Sequence, residues 1–214
     1  MSVRLITGPV RAFLACLFVF LLLPQPSGLA VETPEAESRN TLFLGGQLLV
    51  ASSKMGDPRF AKTVIYMVYH DQTGALGLIV NKAYGSGPMD KFLKGFDIHA
   101  DNINGEIRIH YGGPVAPGSA FVLHTADYNG PGTRVVDRRM AMTTEMSVLK
   151  AIAEGSGPRR SLFALGYSGW GAGQLEGEIA RGDWFSAPAD EELIFDEDLD
   201  TKWEQASGKA GLKL

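Results

Sequence analysis

Every position from Val64 to Tyr69 in the stretch Thr63–His70 (Thr-Val-Ile-Tyr-Met-Val-Tyr-His) carries an apolar or aromatic side chain. In an extended chain Val64, Tyr66 and Val68 share one face, and Ile65, Met67 and Tyr69 share the other. A strand apolar on both faces has to be covered on both, so it belongs near the centre of a sheet between two layers. Asp71-Gln72-Thr73-Gly74 follows as a turn in which Gly74 supplies a positive φ, and Ala75–Lys82 returns as the second arm. The chain is thereby committed to a sheet built around an antiparallel hairpin.

The rest of the chain mixes strand and helix signals. Leu42–Ala51 reads as a strand distorted by two central glycines, and Ser52–Phe60 as a loop. Gly85–Pro88 reads as a loop, and Met89–Phe96 has helical spacing. Glu106–Tyr111 alternates, with Ile107, Ile109 and Tyr111 inward and Glu106, Arg108 and His110 outward. Gly112–Val115 interrupts that strand and Ala120–Thr125 resumes one. Arg138–Met142 is a short strand, and Thr143 or Thr144 caps a helix running to about Glu154. Ser161–Leu165 is a buried strand. Gly166–Trp184 then reads as a tight glycine loop, a helix and a tryptophan-led return to strand. An acidic stretch encloses Leu193–Phe195, and a last helix from about Asp198 to Ala206 is anchored by Trp203. Without regular strand–helix alternation, this pattern predicts an α+β fold rather than a doubly wound parallel sheet.

The 214 residues have room for one good-sized domain or at most two small ones. The net charge of −4 comes without a basic block, so direct nucleic-acid contact is not expected. Arg4 and Arg11 precede the apolar run Ala12–Leu23, and small residues lead to Ala30, a pattern that predicts a secretory signal over 1–30. The run is shorter than the roughly 20 residues a membrane span needs, so no transmembrane span is expected after cleavage. An exported, periplasmic protein follows; a cytoplasmic protein with a mis-assigned start is the alternative. The single cysteine, Cys16, would leave with the signal, and the remainder would carry 18 basic and 24 acidic residues, net −6. Residues 31–40 read as a flexible leader, 41–208 as the domain and 209–214 as a tail.

Gly166-Tyr167-Ser168-Gly169-Trp170 resembles a hydrolase nucleophile elbow, but Trp170 stands where glycine is required and no histidine follows His124. Gly171–Glu176 begins like a dinucleotide fingerprint and puts Glu176 in place of its last glycine. No two histidines stand at ligand spacing within one element, so neither a metal nor a cofactor is expected. Glu176 and Glu178 are two apart and do not share a helix face. Asp57, before Pro58, reads as an Asx-turn, with a ligand-holding carboxylate as the second reading. The candidate ligand-binding set is Asp57, Asn81, His124, Gly169, Trp170, Gly173, Gln174 and Glu176.

Seven blocks in order resemble the YqgE/AlgH family, also called UPF0301 or DUF179: Gly46–Ala51, Met55–Phe60, Thr63–Tyr66, Gly74–Asn81, Gly112–Val115, Phe121–His124 and Gly166–Trp184. The resemblance implies one α+β domain whose bifurcated, largely antiparallel sheet forms a partial barrel flanked by helices. It implies no catalytic activity and no cofactor. The family's name derives from a proposed regulatory role in alginate synthesis, which for an exported chain would make any effect on transcription indirect. The sequence departs from the family pattern at Ser52-Ser53-Lys54, where a proline is expected, and at its signal-like start. The expected function is a non-enzymatic regulatory or binding module for a small ligand or protein partner. The alternative is a hydrolase-like enzyme using Asp57, His124 and Ser168.

Overall fold

The hairpin at the centre is β2 (Val64–Asp71) and β3 (Gly74–Ile79), paired antiparallel from Ile65 opposite Ile79 to Asp71 opposite Gly74. The structure, a computed structural model, describes residues 43–99 and 105–212. The predicted signal and leader, 1–40, lie outside the described residues. Val64, Tyr66 and Val68 enter one apolar cluster, and Ile65 and Met67 enter another, as two-sided patterning requires. Tyr69, beyond a bulge, is only half buried, under the Arg134 guanidinium at 5.0 Å.

On the far side of β2 lie β1 (Gln47–Ala51) and then β10 (Trp184–Pro188). On the far side of β3 the order continues through β9 (Ser161–Gly171), β6 (Val115–Thr125), β8 (Met140–Thr143) and β7 (Thr133–Val135). The sheet forks at β9. Its C-terminal half, Ser168–Gly171, pairs with β3. Its N-terminal half, Phe163–Leu165, pairs in parallel with β5 (Glu106–Tyr111), which carries β4 (Ala83–Pro88) on its outer side. Every other pairing among the described residues is antiparallel. The β7 end curls back toward β1 and β10: Asp137 lies against Gly46, and Arg139 Nη2 donates to Ala189 O at 3.3 Å. The result is a half-barrel, the α+β arrangement expected.

Close backbone approach sets the fork. Gly112 N donates to Leu165 O at 2.9 Å, while its carbonyl accepts from Ile79 N at 3.0 Å. Gly113 has φ +149°, and a Cβ there would overlap the Tyr167 backbone. These glycines, expected only as a strand break, are where three strands meet.

Helices α1 (Met89–Lys94) and α2 (Ser147–Ala153) cover the cluster of Ile107, Val122 and Phe163. Helix α3 (Gln174–Ala180) packs Leu175 with Trp170 and Trp184. Helices α4 (Glu191–Phe195) and α5 (Lys202–Lys209) cover the opposite face. Two buried polar groups fasten α5 there: Trp203 Nε1 donates to Ala51 O at 2.8 Å, and Lys202 Nζ donates to Val80 O at 3.0 Å and Ile194 O at 2.7 Å.

Four local expectations are corrected. Gly85–Pro88 is part of edge strand β4, where proline costs no ladder bond. The glycine-rich corner is not a loop: β9 runs on to Gly171, and only Ala172-Gly173 turn, because Ser168 and Trp170 keep alternating inward. His110 is buried, since the C-terminal segment crosses that face, where Arg108 meets Glu197 at 2.7 Å. Helix α2 starts at Ser147 with no threonine cap, because the Thr143 hydroxyl is engaged inside the sheet.

Candidate functional site

A cleft of about 370 Å³ opens between the β1–β2 loop and the corner where β9 turns into α3. The loop wall is shaped at Asp57. Arg59 N donates to Asp57 Oδ1 at 2.9 Å, an Asx-turn, and the Arg59 guanidinium closes on the same carboxylate at 2.6 Å. That guanidinium holds the Asp57 carboxyl below its ordinary range. Lys82 Nζ donates to Arg59 O at 2.8 Å. Phe60 turns inward and meets Trp184 edge-on, ring centroids 5.5 Å apart.

The facing wall is organised by Glu178. Its Oε2 accepts from Trp170 Nε1 at 2.8 Å and from Trp184 Nε1 at 2.9 Å, and its Oε1 accepts from Gln174 Nε2 at 2.9 Å. Gln174 and Glu178 are one helical turn apart and so share the face of α3 that looks into the cleft. Gln174 Oε1 also accepts from Gly171 N at 3.1 Å, which closes the turn before the helix. The two indoles cross edge to face at 6.0 Å, with Trp184 only 2% exposed. Arg181 and Asp183, an ion pair at 2.9 Å, stand at the rim with Met55, Pro114 and Gly169.

Of the residues predicted for a site, Asp57, Gly169, Trp170 and Gln174 line this cleft. The other four do not, each for a local reason. Gly173 supplies the φ of +72° that starts α3. Glu176 lies two positions from Gln174 and faces away, toward His70. There Leu44 N donates to His70 Nδ1 at 3.1 Å, so Nε2 carries the proton and donates to Glu176 Oε1 at 3.2 Å. Asn81 splices loop to strand: its Oδ1 accepts from Val64 N and its Nδ2 donates to Lys62 O, both at 2.8 Å.

His124 is fully buried between β6 and β8. Its Nδ1 lies 2.8 Å from Thr125 O and so carries the proton. Its Nε2 accepts from Thr143 Oγ1 at 2.8 Å, which in turn sits 2.7 Å from Thr133 Oγ1. Burial lowers the His124 pKa, keeping the ring neutral in this network. Ser168 is also fully buried, its Oγ donating to Gly112 O at 3.3 Å. The hydrolase set of Asp57, His124 and Ser168 is therefore not assembled. Among the described residues, no three His, Cys, Asp or Glu side chains converge as metal ligands. No helix among them is long and apolar enough to cross a membrane.

Sequence reasoning passed over Glu178, Trp184, Arg59 and Arg181. The signal for Glu178 is its spacing of four from Gln174 and eight from Trp170; its spacing of two from Glu176 puts those two carboxylates on different faces of the helix.

A forked, largely antiparallel sheet curled into a half-barrel, with a tryptophan–glutamate corner on one flank, places the chain among small α+β half-barrel domains. A family model described as AlgH-like matches residues 48–214, and the chain belongs to that family. A UPF0301 protein of Methylococcus capsulatus is 48% identical over 183 residues, covering 86% of this chain and 98% of the relative. One from Afipia carboxidovorans is 43% identical over 198 residues, covering 89% and 94%. The solution structure of the AlgH protein from Pseudomonas aeruginosa superposes with a TM-score of 0.67 at 35% identity, covering 81% of this chain and 92% of that one. A crystal structure of a Corynebacterium diphtheriae protein, at 22% identity and a TM-score of 0.56 over 70% of this chain and 78% of its own, shares the fold.

Proposed function

We propose that the protein is a non-enzymatic binding module whose site is the cleft between the β1–β2 loop and the α3 corner. The observation that carries this reading is the state of the polar groups there. Asp57 is held by Arg59, Asp183 by Arg181, and Glu178 by two indoles and an amide. Groups so engaged fix the shape of an aromatic-walled recess and leave none poised as a nucleophile beside a base. A volume of about 370 Å³ suits a small ligand or one inserted side chain.

A thermal-shift screen of full-length protein against a metabolite and peptide library tests the reading. A binder at 100 times its Kd adds about 2.7 kcal/mol, which raises Tm by about 5–11 °C for a domain of this size. Trp170→Ala should remove that gain. A gain that survives the substitution places the site elsewhere, and a library without any binder overturns the reading.

Export belongs to the same proposal, supported by the charged, apolar and small-residue order of residues 1–30. N-terminal sequencing of native protein should find Val31 first, in the periplasmic fraction; an end near Ser38–Thr41 in the cytosol would reject it. A regulatory role would then act through a bound ligand or partner, since neither the charge nor the location supports DNA contact.

A further inference from the structure

We infer that the cleft receives a cationic group, an ammonium or guanidinium at the end of an aliphatic chain, and that Glu178 is the side chain it meets. The inference rests on the cleft being the binding site. Five charged side chains line it, the acidic Asp57, Glu178 and Asp183 and the basic Arg59 and Arg181, leaving one net negative charge; the Lys82 ammonium, bonded to Arg59 O, adds a positive charge on the Asp57 side of the loop. Asp57 and Asp183 are each matched by an arginine, at 2.6 and 2.9 Å. Glu178 is different, because its partners are two indole N–H groups and a carboxamide, all uncharged.

Neutral donors hold a carboxylate in place without cancelling its charge. A carboxylate has about four acceptor positions, and three are filled here, so one is left for an incoming donor. The charge at the Glu178 end of the cleft is therefore negative, unmatched by a cation, fixed in position and still able to accept. An anion would face Glu178 and would have to draw Arg59 or Arg181 away from carboxylates two residues distant in the chain. A neutral ligand would gain nothing from the charge. A cation with an aliphatic stem satisfies both the carboxylate and the Phe60, Trp170 and Met55 surface beside it. Two sources carry that chemistry, a lysine or arginine of a protein partner and a free alkylamine.

The chain's three tryptophans give a direct reading. With full-length protein labelled at the indole nitrogens, Trp170 and Trp184 report on Glu178, and Trp203, bonded to Ala51 O, is the internal control. The probes are the N-acetyl methylamides of lysine, arginine, norleucine and glutamate, together with spermidine. The cationic probes should shift the Trp170 and Trp184 resonances saturably and leave Trp203 in place. Norleucine and glutamate derivatives should bind at least tenfold more weakly. Tighter binding of the amino-acid derivatives assigns a protein side chain as the source, and tighter binding of spermidine assigns a free amine. E178Q keeps an acceptor for the indoles but loses the charge, and should weaken the cations at least tenfold. D57N keeps the Asx-turn acceptor, brings the lining to zero net charge and should weaken them severalfold, which covers the case of E178Q losing its fold. Equal or tighter binding of the neutral or acidic probe overturns the cation assignment while leaving the cleft as the site. Unmoved Trp170 and Trp184 resonances with every probe overturn both.

Discussion

Replacing Glu178 by alanine removes the acceptor shared by two indole N–H groups, and the cost follows from where those groups sit. Trp184 is 2% exposed and Trp170 8% exposed, so water reaches neither freely. A buried donor left unpaired costs about 1–3 kcal/mol. With the Trp170 side open to the cleft, the pair should cost about 2–4 kcal/mol in total, toward the lower half of that range for each indole. For a domain of this size 1 kcal/mol is worth about 2–4 °C in Tm, so E178A should melt about 5–15 °C below the parent. E178Q retains a carbonyl oxygen for both indoles but turns an amide NH2 toward the Gln174 NH2, giving up only that exposed hydrogen bond, so it should cost about 1 kcal/mol and stay within about 4 °C. Thermal unfolding followed by far-ultraviolet circular dichroism, with tryptophan emission recorded in parallel, measures both. An alanine variant within about 2 °C of the parent, or a glutamine variant as unstable as alanine, refutes the reasoning. The first outcome would mean the indoles find other partners; the second would mean the charge, not the acceptor, holds the corner.

Gly113→Ala puts a Cβ onto the Tyr167 backbone at φ +149°, and strain and overlap together should cost more than about 3 kcal/mol; an unchanged urea midpoint would contradict the account of the fork. Burial and the nearby Lys202 charge hold the His110 pKa down to about 4, from 6.5 in the unfolded chain, so the unfolded state binds the extra proton between those values. Stability should therefore fall as pH drops from 6.5 to 4, by up to about 3 kcal/mol, and His110→Gln should remove that part of the slope in denaturant titrations. Burial likewise lowers Lys202 to about 8 from 10.5, so stability should rise between pH 8 and 10.5 as the folded state sheds its buried charge first. A Lys202→Met variant with the same slope over that interval would show that another group titrates there.

The central hairpin was legible because its signal is local: two-sided apolar alternation, then a turn with glycine at the required place. The fork at β9 was not, because a glycine reads as a break whether it ends a strand or lets another backbone come close, and only Ile79 and Leu165 distinguish the two at Gly112. His110 alternates outward in its own strand, and its burial depends on a segment about ninety positions later, at Glu197. At the cleft, the loop and the corner were each visible as turn chemistry. The Glu178 cluster was harder to read, since it joins α3 to Trp170 on one strand and Trp184 on another, and period within a single element carries no information about which carboxylate two indoles will share.

The most direct test of the account is a crystal structure of the full-length protein grown with N-acetylarginine methylamide. The guanidinium should lie in the cleft within about 3 Å of Glu178, its stem along Trp170 and Phe60, with the Arg59–Asp57 and Arg181–Asp183 pairs intact. An empty cleft, with the ligand instead on the acidic surface around Asp190, Glu192 and Asp196, would contradict it.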